Sequence, residues 1–127
     1  MAFRKRRTLN PQLEGVEALA GTYPFDVARS VERMRINRFF WNLTEPSFRE
    51  RFVADEAALA RDSGLTPEEI ALVKARDWLG LVKYGANFFV LEKALRVLKV
   101  TNLHAYAQMR GETFEEFLKT RRVPEMR

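Results

Sequence analysis

Residues 66–69 read Thr66-Pro67-Glu68-Glu69 and form the clearest helix start in the chain. A threonine before the first helical turn accepts a backbone N–H, and a glutamate three positions later accepts the threonine's own N–H. Proline is tolerated at the first helical position because the N–H that it lacks would have no partner there. These residues predict a helix from Pro67 that loosens near Gly80 or Gly85. Its apolar side carries Ile70, Val73, Trp78 and Leu81.

Two further helices are predicted before this segment. Asp26 is a suitable N-cap for a helix that runs to Leu43, with apolar residues at helical spacing along it. Ser47 and Glu50 form a second capping-box pattern, which predicts a helix that ends near Gly64.

Three more helices are predicted after it. Residues 87–98 are strongly apolar, and a short helical piece follows over about 103–109. Gly111 breaks that piece, and Thr113 with Glu116 caps a last helix. The chain shows neither a strand-like alternation bounded by turns nor an internal repeat.

The predicted fold class is therefore all-α, a single irregular bundle of about six helices with an extended N-terminal arm. With 127 residues the chain supports one core. We divide it into an extended arm over 1–24, a helical domain over 25–120 and a basic C-terminal tail over 121–127. The arm contains Asn10-Pro11, Gly15, Gly21 and Pro24 and has no sustained periodicity.

The net charge of +5 is concentrated at the two ends of the chain. Residues 1–10 contribute +4 and residues 119–127 contribute +3, so the body over 11–118 has a net charge of −2. A nucleic-acid-binding domain usually carries its basic excess on the folded face that meets the phosphates. We therefore expect no nucleic-acid partner, and interpret the ends mainly as solvated tails.

The inventory of chemically active residues is small. The chain has no cysteine and one histidine, His104, and no motif for a nucleophile, a zinc site or a phosphate loop. We expect no catalytic residue and no metal on this chain. His104 is either an ordinary surface histidine or a polar group offered to a ligand bound nearby. Arg76 and Asp77 are interpreted as a structural ion pair or cap inside a helix.

No apolar run is long enough for a transmembrane helix, and no apolar segment follows the basic N-terminus as in a secretory signal. These features predict a cytoplasmic protein with no membrane partner.

Three consecutive aromatic residues, Phe39-Phe40-Trp41, point in directions roughly 100° apart on a helix, so one flat core cannot bury all three. Either other helices wrap the segment, or part of it forms an interface with another polypeptide. We predict a partner interface that includes these residues together with Tyr23 and Phe25.

Six sequence segments resemble a known family. In chain order they are Gly21-Thr22-Tyr23-Pro24-Phe25-Asp26, Glu50-Arg51-Phe52-x-Ala54-Asp55-Glu56, Leu65-Thr66-Pro67, Ala75-Arg76-Asp77-Trp78, Gly85-Ala86-Asn87-Phe88-Phe89-x-Leu91-x-Lys93 and Met109-Arg110-Gly111-x-Thr113-x-Glu115-Glu116-Phe117. Their order and spacing over about residues 20–118 resemble the small alpha subunit of the protocatechuate 4,5-dioxygenases, which are class II extradiol ring-cleavage enzymes.

The resemblance implies a division of labour between two subunits. In that family the large beta subunit holds a non-haem Fe(II) through two histidines and a carboxylate and supplies the catalytic base. The helical alpha subunit holds no metal and covers the mouth of the beta active site in an α2β2 assembly. The resemblance thus predicts a non-catalytic subunit of an enzyme that cleaves protocatechuate-like catechol carboxylates with O2, inactive when isolated.

The segment that approaches the substrate in the family corresponds to residues 100–106 of this chain. Here the sequence offers Asn102, Leu103 and His104, where the protocatechuate enzymes tend to have phenylalanines. We therefore predict that these three residues lie near the substrate, with protocatechuate, gallate or a substituted catechol acid as candidates. The alternative function is a small all-helical DNA-binding regulator, with Arg29, Arg33 and Arg38 as its best contact residues.

Overall fold

The computed structural model describes residues 11–121, apart from the side chains of Leu13, Glu17 and Arg121. This part of the chain is all-α, as predicted, and contains nine α-helices instead of about six. They are α1 (Val27–Glu32), α2 (Met34–Asn42), α3 (Pro46–Ala54), α4 (Glu56–Asp62), α5 (Pro67–Lys74), α6 (Trp78–Tyr84), α7 (Phe88–Val97), α8 (Asn102–Met109) and α9 (Phe114–Arg121). Most of the basic residues of the predicted tails, at 1–10 and 122–127, lie outside the described residues.

The extra helices arise because three predicted long helices are each divided in two. Arg33 separates α1 from α2, and Asp55 separates α3 from α4. A longer junction over residues 75–77 separates α5 from α6. In the arm, residues 11–24 form two short 3-10 turns, Pro11–Leu13 and Val16–Ala18. Every helix in residues 11–121 is too short or too polar to cross a membrane.

Most predicted caps are confirmed. Thr66 and Glu69 form the complete capping box of α5, with Glu69 N–H donating to Thr66 Oγ1 at 3.2 Å and Thr66 N–H donating to Glu69 Oε1 at 2.8 Å. Thr113 and Glu116 exchange the same two bonds at the start of α9. Asp26 caps α1.

The prediction that Ser47 and Glu50 form a capping box is wrong. The helix begins earlier, with Glu45 as the N-cap and Pro46 in the first turn, and Glu45 makes no side-chain capping bond. Proline fits the first turn well, so Pro46 starts the helix before Ser47 can cap it.

The prediction that Arg76 and Asp77 lie inside one helix is also wrong. Arg76 has a φ of 54° in the junction between α5 and α6, and it binds Glu56 of α4 through two hydrogen bonds of 2.6 and 3.0 Å. Asp77 is the N-cap of α6 and accepts the Gly80 N–H at 2.9 Å. Their interpretation as a structural ion pair or cap is confirmed, since Arg76 pairs with Glu56 and Asp77 caps α6.

The core lies where α2 packs against α7, with α3 and α6 around it. Phe39 of α2 is almost fully buried and packs edge-on against Phe48, with ring centroids 5.5 Å apart, and against Phe52 of α3. Leu91 and Leu95 of α7 are fully buried. The helices α8 and α9 pack against each other at one side of this core.

Candidate functional site

The first candidate site is the surface around α1, a helix that contains no buried residue. Two arginines attach it to the end of α6. Arg29 Nη2 donates to the backbone oxygen of Lys83 at 2.6 Å, and Arg33 Nε donates to that of Tyr84 at 2.8 Å. The Arg33 guanidinium also lies 3.9 Å from the centre of the Tyr84 ring. Cations favour the carbonyl-rich C-terminal end of a helix, so these contacts fix α1 on the bundle.

Gly85 makes this close approach possible. Its φ of 122° is accessible to glycine, and a Cβ there would lie 2.7 Å from Arg33 Cγ and 2.8 Å from Arg29 Nε. Asn37 of α2 binds the same turn on both sides, since its Nδ2 donates to Gly85 O at 3.3 Å and its Oδ1 accepts the Asn87 N–H at 2.7 Å. One side of α1 and α2 is thereby fixed to the α6–α7 turn.

Another side of α1 and α2 is exposed and largely apolar. Val31 is 63% exposed and Trp41 is 56% exposed, although both belong to residue types that proteins usually bury at least in part. Val27 and Met34 are exposed as well, and Arg38 lies between Met34 and Trp41, with its Nη2 3.3 Å from Met34 Sδ. We name this surface the α1–α2 stripe; its members are Val27, Val31, Met34, Arg38 and Trp41.

The structure corrects two of the predicted interface residues. Phe39 is 1% exposed and Phe40 is 0% exposed, because α3 and α7 cover them, so neither has surface for a partner in this fold. Tyr23, Phe25 and Trp41 are exposed, and their role at an interface stays a prediction. Tyr23 lies beside the end of α6, with its ring 5.7 Å from Lys83 Nζ.

The sequence pattern does not identify Val27, Val31 and Met34 as surface residues. Like Ile36 and Phe40, they belong to the apolar residues at helical spacing that predict one helix from Asp26 to Leu43. A signal was present, because successive members of the α1–α2 stripe are separated by four, three, four and three positions. Within α2 this spacing places Met34, Arg38 and Trp41 on the side opposite to Ile36 and Phe40, and Val27 and Val31 lie one turn apart on α1.

The second candidate site is the first turn of α8, where the predicted substrate-proximal residues lie. Thr101 is the N-cap, and its Oγ1 accepts the His104 N–H at 3.3 Å. The same Oγ1 is 2.5 Å from His104 Nδ1. The imidazole stacks on the ring of Phe114 from α9, with centroids 3.6 Å apart and planes 10° apart. His104 is thus exposed but held in one orientation.

The contact with Thr101 occupies one of the two ring nitrogens of His104. Nδ1 lies within hydrogen-bond distance of Thr101 Oγ1, and which of the two atoms donates depends on the tautomer of the ring. Nε2 makes no hydrogen bond among the described residues. It is therefore the nitrogen through which the ring can bind a polar group outside the chain.

The neighbours of His104 differ in how free they are. Asn102 donates from Nδ2 to Glu92 Oε1 of α7 at 3.0 Å, which ties the start of α8 to the preceding helix. Leu103 is exposed and is free to contact another molecule. Phe89, on the first turn of α7, is also exposed. The structure thus brings Asn102, Leu103 and His104 together on a rigid turn, and their proximity to a substrate stays a prediction.

Neither candidate site resembles a complete catalytic centre. Within residues 11–121 no group of three or more histidine, cysteine, aspartate or glutamate side chains could hold a metal ion. An open groove of about 830 Å³ lies between α3 and α7 and is lined by Val53, Lys93 and Arg96 among others. It shares no residue with the α1–α2 stripe or with the first turn of α8.

Comparison with known proteins gives independent information on the chain. Residues 36–122 match the family described as "Aromatic-ring-opening dioxygenase LigAB, LigA subunit", and this match covers more than half of the chain. A gallate dioxygenase from Pseudomonas putida is 48% identical over 118 residues, which are 93% of this chain and 35% of the relative. The chain thus spans about a third of the length of the curated relative that it matches.

Proposed function

The chain belongs to the family of LigA subunits of the aromatic-ring-opening dioxygenase LigAB, and from this premise we propose that it is a non-catalytic subunit. It binds a large subunit and covers the mouth of the active site there. The family match is the observation that carries the proposal. A lid of this kind excludes water and helps to hold the substrate in place.

The metal of the reaction belongs to the large subunit in this proposal. A non-haem Fe(II) that activates O2 is usually held by two histidines and one carboxylate, with open positions for its substrates. The single His104 of this chain, with its Nδ1 next to Thr101 and its ring against Phe114, does not fit such a ligand set. The chain's own part is to position and enclose, and no catalytic residue is assigned to it.

The substrate is an aromatic ring that carries adjacent hydroxyl groups and a carboxylate. Two observations support this class. The matching relative is a gallate dioxygenase, and the first turn of α8 offers His104 Nε2, which can act as a hydrogen-bond donor, next to the exposed apolar side chain of Leu103. A donor beside an apolar surface suits an aromatic acid, because the carboxylate accepts the hydrogen bond while the ring lies on the apolar side chain. Protocatechuate and gallate are the two substrates to test first.

The proposed assembly contains two small and two large subunits in the cytoplasm, as the family resemblance implies. Tyr23, Phe25 and Trp41 contribute to its interface, and Asn102, Leu103 and His104 lie at the edge of the substrate site. The alternative of a DNA-binding regulator is supported by neither comparison. Of its three proposed contact residues, Arg29 and Arg33 are bound to the backbone at the end of α6.

Co-expression tests the proposal directly. The chain alone, the large subunit alone and the two together are loaded with Fe(II), and O2 consumption is measured with protocatechuate and with gallate. We expect a stable complex with full activity, no activity from this chain alone, and low or less selective activity from the large subunit alone. A large subunit that neither binds this chain nor responds to it would refute the proposal.

A further inference from the structure

We propose that the α1–α2 stripe is the docking seam for an amphipathic helix of the large subunit, and that this helix carries a carboxylate opposite Arg38. This inference rests on the proposed function for the identity of the partner. It goes beyond that function because it assigns the contact to one surface, one type of element and one charge.

The spacing of the stripe is the first support. Separations of three and four positions are the spacing by which two helices pack side by side, and they occur between Val27 and Val31 on α1 and between Met34, Arg38 and Trp41 on α2. The two valines and Met34 offer apolar side chains, and Trp41 adds a large aromatic at one end. Tryptophan is enriched among the residues that dominate binding energies.

The exposure of the stripe is the second support. Helix α2 already buries a core face through Ile36 and Phe40, and Arg33 and Asn37 contact the α6–α7 turn from another side. A third side that is apolar serves no purpose within the described chain. Contiguous exposed apolar surface of this kind marks an interaction site.

The positive charge of Arg38 indicates which partner fits the stripe. Arg38 lies within the stripe and makes no ion pair with any described carboxylate. A second copy of this chain would present the same stripe, which contains no carboxylate, and would cover Arg38 without an ion-pair partner, which is unfavourable. A helix with apolar residues and a carboxylate at the matching position removes that cost and forms a charge-assisted bond. The large subunit is the partner that the proposed function supplies.

The two tryptophans of the chain provide an internal comparison, because Trp41 is in the stripe while Trp78 is 4% exposed in the core. The chain is labelled with fluorotryptophan and mixed with unlabelled large subunit, and fluorine NMR follows both signals with a soluble paramagnetic relaxation agent. We expect the Trp41 signal to shift and lose its contact with the agent, while the Trp78 signal stays unchanged. A Trp41 that remains accessible in an active complex would overturn the docking seam and leave the proposed function intact.

Matched variants test the apolar and the charged parts separately. Val31→Asp should weaken binding of the large subunit by about tenfold or more, whereas Val53→Asp, at a similarly exposed valine outside the stripe, should have little effect. Arg38→Glu should weaken binding, and Arg38→Met should reduce its salt dependence, while Arg96→Glu changes neither. Equal effects within each pair would contradict the assignment.

Photo-crosslinking from position 31 identifies the occupant. A photoreactive phenylalanine analogue at Val31 should crosslink to one large-subunit segment with apolar residues at helical spacing and a carboxylate among them. Crosslinking between two copies of this chain would overturn the choice of partner. Failure of the large subunit to bind unmodified chain would instead refute the proposed function itself.

Discussion

The hydroxyl of Tyr84 on α6 donates a hydrogen bond of 3.1 Å to Oε2 of Glu69, a carboxylate that is 99% buried on α5. The other oxygen of Glu69 accepts from Arg35 Nε at 3.1 Å and from the Thr66 N–H at 2.8 Å. One carboxylate thus joins α2, α5 and α6, and the Tyr84 side chain that binds it also contacts Arg33, whose guanidinium lies 3.9 Å from the ring centre.

This pair makes stability depend on pH in the alkaline range. Burial, and then the nearby charge of Glu69, raise the pKa of Tyr84 above its ordinary value of 10.0. The folded state therefore holds the phenolic proton more tightly than the unfolded state does. The resulting stabilisation is complete below about pH 10 and is lost as the pH rises through the folded pKa.

The measurement is chemical denaturation of the isolated chain at several pH values from 8 upward, with the ultraviolet signal of tyrosinate as a second readout. Tyr84→Phe should flatten the alkaline decline in stability. Tyr23→Phe, at an exposed tyrosine, is the matched control and should leave it unchanged. An alkaline decline that survives Tyr84→Phe would show that another group is responsible.

Glu69→Ala should destabilise the chain by about 3 kcal/mol, because it leaves buried donors without their acceptor and a cation without its partner. Glu68→Ala changes the adjacent exposed residue of the same first turn and should stay within about 0.5 kcal/mol of the wild type. Urea denaturation of both variants measures the difference. Similar losses of stability in the two variants would mean that the charge of the first turn of α5 matters and the buried hydrogen bonds of Glu69 do not.

Gly85→Ala should detach α1 from the bundle and cost about 1–3 kcal/mol, because the new Cβ collides with Arg29 and Arg33 at a φ that alanine rarely adopts. Gly64→Ala also has a positive φ, of 74°, but its Cβ would meet nothing within 4 Å. It should cost only about 1 kcal/mol. Limited proteolysis then distinguishes them, since only the Gly85 variant should become sensitive near α1.

Phe40→Ala and Trp41→Ala should act on different properties although the residues are adjacent. Phe40→Ala empties a core position and should cost about 3–5 kcal/mol of stability. Trp41→Ala should leave the stability of the isolated chain within about 0.5 kcal/mol and weaken assembly with the large subunit. Thermal unfolding and a binding titration on each variant measure the two effects. Loss of stability in both variants with unchanged assembly would remove Trp41 from the interface.

His104→Ala should lower kcat/KM of the reconstituted enzyme by about tenfold to a hundredfold through loss of one hydrogen bond to a charged group. The effect should fall mainly on KM and on the ranking of catechol carboxylates. His104→Gln keeps an N–H donor at similar reach and should restore part of the loss. Asn102→Ala should affect catalysis indirectly, by shifting the first turn of α8, because the Asn102 side chain ties this turn to Glu92 of α7.

Unchanged ranking in both variants would show that the first turn of α8 is structural only. Complete loss of activity with assembly intact would place catalytic chemistry on a chain to which we assign none. Binding of the large subunit, measured on the same samples, serves as the control for assembly.

The local features of the fold were predictable from sequence because neighbours in the chain determine them. Thr66 and Glu69 satisfy each other's backbone donors within one turn, and Thr113 and Glu116 do the same. The break at Arg33 was not predictable, because its guanidinium bonds to a carbonyl that lies 51 residues away in the chain. Distant contacts of this kind decide where a long apolar pattern is interrupted.

In the candidate sites, too, the local features were predictable and the distant contacts were not. The turn that carries Asn102 and His104 was expected, but Glu92 and Phe114, which fix those residues, come from two other helices. Which apolar side of α1 and α2 is buried was also open in the sequence, because both sides carry apolar residues at helical spacing. Packing by α3 and α7 buried Phe39 and Phe40 and left Trp41 exposed.

The attachment of α1 has a consequence for the order of events during synthesis. A chain leaves the ribosome from its N-terminus, so α1 emerges before the carbonyls that hold it, which lie 54 and 51 residues later. Until the end of α6 has emerged and turned at Gly85, the backbone oxygens of Lys83 and Tyr84 are absent and α1 cannot attach to the bundle. During that interval the nascent chain also exposes the core side of α2, which is buried in the folded chain. Such apolar surface is prone to aggregation at cellular concentrations, and the risk to α1 and α2 falls once α6 and α7 have been synthesised.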